Sequence, residues 1–312
     1  MTVQVASVSP EAARHVHAGA TSQDVIDTAA VLCLKPACAR VAELTIRLGN
    51  AAADLARRHA ATPTAARTLL QPALPVTFGW KAAVWLSMLS RSLAGTRGAA
   101  AHACILQFGG PSGTLSSFGE RGIAVMAALA QDLELPASVV PWHSTRDRFA
   151  RLGAELAILA GAAGKVGRDV SLLMQPEVGE AAEAAKAGRG GSSSMPHKRN
   201  PALSMLALEG AQRAPALAAT LLSQLTPEHE RGLGQWQSQW FTLRELACTA
   251  ASGTAAMADA LEQLEVDENA MRANLESLLP DQRQEFGSAG PMIEAALEEW
   301  ARSSSSSRGT AP

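Results

Sequence analysis

One segment of the sequence concentrates side chains that could do chemistry: residues 188–201, which read GRGGSSSMPHKRNP. Three glycines give its backbone freedom, three serines supply hydroxyls, and His197, Lys198 and Asn200 supply donors and protonatable nitrogens. Hydroxyls and cations in a mobile loop can close over an anionic substrate and carry a proton. A plain linker would not need so compact a Met-Pro-His-Lys sequence, nor Pro201 at the start of a new helix. We therefore predict a functional loop here.

A second segment, HVHAGATSQD, runs from His15 to Asp24 and has two interpretations. Thr21, Ser22 or Asp24 could simply cap the helix that follows. The same hydroxyls and amides at a helix N-terminus could instead receive an anion, and the residue types leave both interpretations open. His15 and His17 are zinc-ligand types, but an H-x-H pair without further ligands is more typical of a structural role.

Three further segments have either a structural or a binding interpretation. ARTLLQPALPVTFG (66–79) is expected to form a stiff connection into the next helix, and QFGGPSGTL (107–115) a glycine turn rather than an anion-binding nest. WHSTRDRFARLG (142–153) opens a helix with Arg146 and Arg148 in or beside its first turn. Two arginines there oppose the helix dipole, which points either to a solvated face or to a carboxylate ligand.

These segments must be positioned by helices, because apolar periodicity dominates the chain. One seam recurs every three or four residues, as one face of a helix requires: Leu152, Leu156, Leu159, Ala163, Val166, Val170 and Leu173. The same spacing predicts helices after Pro36, from Trp236, and over 80–104, 114–134 and 202–225. Sustained strand-like alternation is missing from the sequence. We predict an all-α fold with a long central helical bundle.

Composition narrows the class of protein. Of the 312 residues, 47% are apolar and 18% are charged, which excludes a disordered chain, and the net charge of −2 argues against nucleic-acid binding. No apolar run is long enough for a bilayer span and no signal peptide is visible, so we expect no membrane partner and a cytoplasmic location. Four scattered cysteines do not form a disulfide framework. Cys33 and Cys38 are expected to be buried free thiols rather than metal ligands.

The loop GSSSMPHKRNP (191–201) resembles the G-S-S-x-x-P-x-K-x-N signature of the fumarase/aspartase superfamily. HAGATSQDVIDTA (17–29) resembles the branch of that superfamily that holds adenylosuccinate lyases and 3-carboxy-cis,cis-muconate cycloisomerases. LQPALPVTFG, WHSTRDR and PEHERGLGQWQSQW look most like the cycloisomerases, and the resemblance runs from about His15 to Leu275.

The resemblance implies a helical bundle that forms homotetramers, with active sites assembled from three subunits and with neither metal nor organic cofactor. The implied substrate is a small tricarboxylate, 3-carboxy-cis,cis-muconate, which is interconverted with 4-carboxymuconolactone in the protocatechuate branch of the β-ketoadipate pathway. By motif position, Ser192 matches the catalytic serine of the loop, with Ser193 as the alternative. Lys198 and Asn200 match the substrate-binding pair of the signature.

Further substrate contacts follow from the same resemblance. Thr21 and Ser22 match a carboxylate-binding turn, with His17 in the same motif, and Gln71 and Arg146 are expected to add contacts.

One position departs from the lyases of the superfamily. Many of them carry a histidine as general acid where this chain has Leu69, and leucine transfers no proton. The cycloisomerases also lack that histidine, because their leaving group is a carboxylate that needs no protonation. Leu69 therefore argues against an adenylosuccinate-lyase-like C–N lyase, which stays the second hypothesis.

The chain is also shorter at both ends than the resemblance predicts, so a catalytically silent bundle is the third hypothesis. We expect the following division: 1–24, remnant of an N-terminal domain; 25–268, central bundle; 269–302, shortened C-terminal region; 303–312, disordered tail.

Overall fold

The computed structural model describes residues 2–186, 188–281, 283 and 285–305. Its helices are α1 (Thr2–Ala6), α2 (Pro10–Ala13), α3 (Ser22–Arg58), α4 (Phe78–Ala103), α5 (Gly122–Asp132), α6 (Asp147–Leu173), α7 (Ala202–Leu222), α8 (Gln235–Glu262), α9 (Glu268–Leu278) and α10 (Ala289–Ser305). Its strands are β1 (Pro63–Thr68), β2 (Gln71–Thr77), β3 (Ala181–Ala182) and β4 (Glu265–Val266). Within these residues no helix combines the length and the apolarity that crossing a membrane requires.

The predicted apolar seam explains the architecture. From Leu152 to Leu173 every seam residue is buried, because α6 contacts α4, α7 and α8. α3 closes the bundle by packing on α4 and α8, and α10 lies against α4 and α3. α6 and α7 approach so closely that a Cβ added at Gly164 would lie 2.3 Å from the Cβ of Ala211. The prediction of an all-α bundle is confirmed.

α3 is longer than the sequence suggested. It begins at Ser22 and continues through Pro36 to Arg58, 37 residues in all. Thr21 is its N-cap residue, and the Thr21 backbone N–H donates to Asp24 Oδ2 at 2.9 Å. Capping, one of the two interpretations of the His15–Asp24 segment, is therefore observed at the start of the helix.

The segment 63–77 forms a β-hairpin, although we expected only a stiff connection into the next helix. β1 and β2 pair antiparallel, from Pro63 opposite Thr77 to Thr68 opposite Gln71. Leu69 and Leu70 form its exposed tip with φ of 52° and 66°. The two prolines of β2 interrupt the alternation that would have revealed a strand.

Two other predictions need correction. The helix expected over 114–134 is a 3₁₀ segment, Ser116–Arg121, followed by α5, because the chain kinks at Gly119 with φ of +54°. Cys38 is buried, but Cys33 is exposed and lines an apolar groove between α3 and α8.

The C-terminal helix extends further than predicted. α10 reaches Ser305, three residues into the expected tail, because Arg97 donates to the Ser303 carbonyl and the Ser304 hydroxyl to the Trp300 carbonyl. The rest of that tail, 306–312, lies outside the described residues. The division of the chain at residues 24 and 268 stays a prediction.

Candidate functional site

The predicted site residues fall into two groups at opposite ends of the bundle. Thr21, Ser22 and Arg146 lie where α6 begins; we call this region the turn end. Ser192, Lys198 and their loop lie where α6 ends, beside Met174; we call this region the loop end. Because α6 has 27 residues, the two ends are about 40 Å apart at 1.5 Å per residue. Within one chain the predicted residues therefore do not form a single site.

A buried carboxylate organises the turn end. Asp24 accepts hydrogen bonds from the backbone N–H groups of Thr21 (2.9 Å), Gly109 (3.0 Å) and Gly110 (2.9 Å). His143 Nε2 lies 2.6 Å from the same carboxylate, on its Oδ1 atom. Three segments that the sequence marked separately, 15–24, 107–115 and 142–153, are thereby joined at one side chain. The Gly109 and Gly110 amides therefore do bind an anion, as a nest would, but that anion is the Asp24 carboxylate of the chain itself.

Arg146 also belongs to the turn end and is 2% exposed. Its Nη1 and Nη2 atoms donate to Asp27 at 2.7 and 3.0 Å, and its Nε and Nη2 atoms donate to Gln239 Oε1 at 3.0 and 2.6 Å. The guanidinium also lies 5.0 Å from the Trp142 ring and 5.1 Å from the Phe149 ring. The carboxylate partner expected for Arg146 is therefore Asp27. In this chain Arg146 holds α3, α6 and α8 together, and a contact between Arg146 and a substrate stays a prediction.

Further polar links fasten the same region. Gln23 Nε2 donates to Asp27 Oδ2 at 3.1 Å and to the His143 carbonyl at 2.9 Å. The Thr28 hydroxyl donates to the Gln107 carbonyl at 2.8 Å. These bonds satisfy polar groups that the bundle removes from water, and they leave little freedom at the start of α3.

The exposed surface of the turn end includes Ser22 and His17. Thr21 is buried, whereas Ser22 and His17 are exposed, and His17 has φ of +64°. Gly19 also has positive φ, and a Cβ there would meet the Phe118 ring at 2.4 Å, so only glycine fits. The turn presents the Ser22 hydroxyl and the imidazoles of His15 and His17 to solvent near the N-terminus of a long helix, a place that favours anions.

The loop end carries Ser192 in a small turn. Ser192 Oγ accepts a hydrogen bond of 3.2 Å from the Met195 backbone N–H, and the side chain is half-buried. Ser193 and Lys198 are exposed. The base of the loop is closed by Asn200, whose backbone N–H and Nδ2 donate to the Gly190 carbonyl at 2.8 and 3.0 Å. Lys198 and Asn200 share a cavity of about 290 Å³ with residues 183–186 and 189–191.

Glu183 anchors this loop to the helix that follows it. Its carboxylate is buried and accepts from the backbone N–H groups of Leu203 (3.0 Å) and Ser204 (2.8 Å) and from the Ser204 hydroxyl (2.8 Å). The Arg199 guanidinium donates to the Glu183 carbonyl at 2.6 Å. A carboxylate at the N-terminus of α7 is favoured by the helix dipole, so both ends of the loop are held while its centre stays exposed.

Gln71 is exposed at the base of the hairpin tip. The hairpin belongs to the loop end, because Arg67 Nη2 donates to Glu180 Oε1 at 2.7 Å and Asn274 Nδ2 donates to the same oxygen at 2.9 Å. Glu180 directly precedes β3 and lies three residues before Glu183. The loop end of the bundle thus holds four of the predicted site residues: Gln71, Ser192, Lys198 and Asn200.

Sequence reasoning did not single out four buried acidic or imidazole residues that shape both ends: Asp24 beyond its capping role, Asp27, His143 and Glu183. A signal was present at the start of α3, where Gln23, Asp24, Asp27 and Thr28 put polar side chains on a face that later turns apolar. Among the described residues, no group of three or more His, Cys, Asp or Glu side chains is arranged to hold a metal ion.

Comparison with known proteins places the chain in a family. Residues 3–215 match the family described as Lyase. The chain is 50% identical over 272 residues to 3-carboxy-cis,cis-muconate cycloisomerase of Pseudomonas aeruginosa, covering 87% of this chain and 59% of that protein. Over 277 residues it is 49% identical to the enzyme of the same name from Bradyrhizobium diazoefficiens, with 89% and 61% covered.

A solved structure agrees with these sequence relatives. The crystal structure of 3-carboxy-cis,cis-muconate lactonizing enzyme from Pseudomonas putida superposes with a TM-score of 0.89 at 32% identity and covers 97% of this chain and 81% of that one. The chain spans roughly three fifths of the length of the curated relatives given above, 59% and 61%.

Proposed function

Because the chain belongs to the lyase family, we propose that it is a cycloisomerase that interconverts 3-carboxy-cis,cis-muconate and 4-carboxymuconolactone in the cytoplasm. The observation that carries the proposal is the loop 191–201, which is held at its base by Asn200 and Glu183 and places Lys198 on the wall of a cavity, with Ser192 directly after the wall residue Gly191. A proton carrier and cationic or N–H donors in one anchored loop are what this reaction needs.

The chemistry is simplest in the lactone-opening direction. A base removes the proton from the carbon next to a carboxylate, and the electrons of the C–H bond move into that carboxylate to give a dianionic intermediate. Those electrons then form the new C=C bond while the lactone C–O bond breaks, so that the ring oxygen leaves as a carboxylate. We assign the proton transfer to Ser192, with Ser193 as the alternative. The Met195 N–H that donates to Ser192 Oγ stabilises negative charge on that oxygen, which helps a hydroxyl act as a base.

Other residues bind the carboxylates of the substrate. Lys198 supplies a mobile ammonium, and Asn200 Nδ2 carries a second N–H beyond the one that it gives to Gly190. Ser22 and His17 supply the donors of the turn end. Leu69 fits this proposal, because a carboxylate leaving group needs no general acid.

The separation of the two ends bears on assembly. A tricarboxylate of this size cannot touch groups about 40 Å apart, so we infer that the turn end of one copy meets the loop end of another in a homotetramer. An apolar groove of about 350 Å³ lies between α3 and α8. Trp240 lines it, and Trp240 and the next residue, Phe241, are both exposed, which supports association between copies of the chain.

One assay tests the proposal. The purified protein is mixed with 3-carboxy-cis,cis-muconate, and the loss of diene absorbance in the ultraviolet is followed. Ser192→Ala is expected to lower kcat by a factor on the order of 10² or more with little change in KM. Ser194→Ala, which removes an exposed hydroxyl from the same loop, is the matched control and is expected to keep the wild-type rate.

Three results would contradict the assignment. A rate loss in Ser193→Ala and not in Ser192→Ala would move the proton transfer to Ser193. A folded assembly without turnover would favour the catalytically silent bundle. Turnover of adenylosuccinate would favour the C–N lyase.

A further inference from the structure

A second cavity lies between the hairpin, the first turns of α4 and the last turns of α6. It measures about 520 Å³, and none of its lining residues also lines the loop cavity described above. Its charged lining residues are Arg67, Lys81, Lys165 and Asp169, and its aromatic ones are Trp80 and Trp85. We propose that this cavity, which is distinct from the loop cavity around Lys198, is a binding site for a small aromatic monocarboxylate.

Lys81 supplies the charge that would hold the carboxylate. Its Nζ donates to the Ala65 carbonyl at 3.2 Å, and within the described chain no carboxylate lies within ion-pair distance of it. An ammonium has three donors, so this one keeps donors for a ligand. Burial lowers the pKa of Lys81 from its ordinary value, although Glu180 and Asp169 act in the opposite direction at longer range. A bound anion would offset that burial cost.

The other cations of the cavity are already neutralised. Arg67 is paired with Glu180 at 2.7 Å, and Lys165 is paired with Asp169. Three cations and two carboxylates leave one positive charge, and Lys81 carries it. A second carboxylate on the ligand would therefore meet no free counter-charge in a partly desolvated place, which disfavours it. The cavity is matched to a monoanion and not to the tricarboxylate of the proposed reaction.

The rest of the wall fits a flat apolar body. The indole of Trp85 is fixed by its Nε1 hydrogen bond to Asp169 Oδ2 at 2.8 Å, and Trp80 lies on the same helix. Val84, Leu172 and the remaining aliphatic residues complete an apolar lining. A volume of about 520 Å³ is within the range of small-molecule sites. Aromatic rings and aliphatic side chains around one spare cation are complementary to an aromatic ring with one carboxylate.

Binding is measured with 4-fluorobenzoate by ¹⁹F NMR titration of the full chain, and with 4-fluorobenzamide as the neutral ligand of the same shape. We expect saturable binding of the benzoate and at least tenfold weaker binding of the amide. Lys81→Met is expected to weaken benzoate binding at least tenfold. Lys81→Gln, which keeps a donor toward Ala65 without the charge, is expected to do the same.

Two matched variants make the result decisive. Lys35→Met removes an exposed lysine at the opposite end of the bundle, and Lys198→Met removes one of the four cationic side chains that line the loop cavity. Both are expected to bind benzoate like the wild type. The inference is overturned if Lys81→Met and Lys81→Gln, folded by circular dichroism, bind as tightly as the wild type. It is also overturned if Lys198→Met abolishes binding, since the benzoate would then occupy the loop cavity.

Discussion

Replacing Arg146 by methionine tests the turn end most directly, because that guanidinium is almost completely buried and donates four hydrogen bonds. Methionine keeps most of the length and the apolar stem of the side chain but removes the positive charge that faces Asp27. Among the described contacts, the Asp27 carboxylate then keeps Gln23 as its hydrogen-bond donor. Breaking a buried ion pair by removing one partner costs about 3–5 kcal/mol, because an uncompensated charge remains. We expect a loss of unfolding free energy of that size.

The double variant Asp27→Leu/Arg146→Met separates the charge from the packing. It removes the stranded carboxylate, so the remaining cost is mainly the Gln239 carbonyl oxygen without its donors, about 1–3 kcal/mol. The second substitution is therefore expected to restore about 2 kcal/mol of the loss. Urea unfolding followed by far-ultraviolet circular dichroism measures both values, provided that the slope of free energy against urea is the same for all variants.

Arg151→Met is the control for losing an arginine from the same helix. Arg151 lies 72% exposed and 3.6 Å from Asp147, and its replacement is expected to change stability by less than about 0.5 kcal/mol. If Arg146→Met is as stable as the wild type and instead raises KM for the tricarboxylate, the reasoning is refuted and Arg146 binds substrate after all.

Two further predictions concern the loop end and its support. His59 is buried beside Glu268, and burial lowers its pKa below 6.5, so the folded state binds fewer protons than the unfolded state. The stability that the neutral ring contributes is therefore present above pH 6.5 and declines as the pH falls below it. His59→Gln is expected to reduce the change of the urea midpoint between about pH 7 and pH 5. Glu183→Gln weakens three hydrogen bonds at the start of α7, so we expect it to lower the free energy of unfolding by about 1–3 kcal/mol and to speed amide exchange in 188–201. Glu209→Gln, on the exposed face of α7, is the control and is expected to do neither. Unchanged exchange in Glu183→Gln would mean that other contacts hold the loop.

The secondary structure could be predicted from the sequence wherever a long apolar seam determines it. The helix through Leu152 and Leu173 was predicted nearly at its observed bounds, because burying such a stripe outweighs local preferences. The hairpin was missed because Pro72 and Pro75 conceal its alternation, and the continuous α3 was missed because Pro36 suggests a break that packing overrides.

The site was predictable in its residue types more than in its geometry. The exposed loop serines and Lys198 could be named from their pattern, since their environment is mostly solvent. Asp24 and Arg146 could not be assigned, because their partners lie 119 residues away in the sequence and only the fold brings them together. A charged side chain in a helix start has the same appearance in a sequence whether it faces a ligand or a neighbouring helix.

The hydrogen bonds of Asp24 also bear on when the turn end becomes ordered as the chain is synthesised. The bonds that close the loop 191–201 itself are local: Gly190 meets Asn200 ten residues later, and Glu183 meets Ser204 after twenty-one. The Asp24 carboxylate can form its other hydrogen bonds only after Gly109 and then His143 have been synthesised, 85 and 119 residues further on. Long closures form late because their entropy is lost before contacts compensate it. The turn 15–24, although synthesised before these partners, therefore reaches its final geometry only after α4 and the start of α6 have emerged.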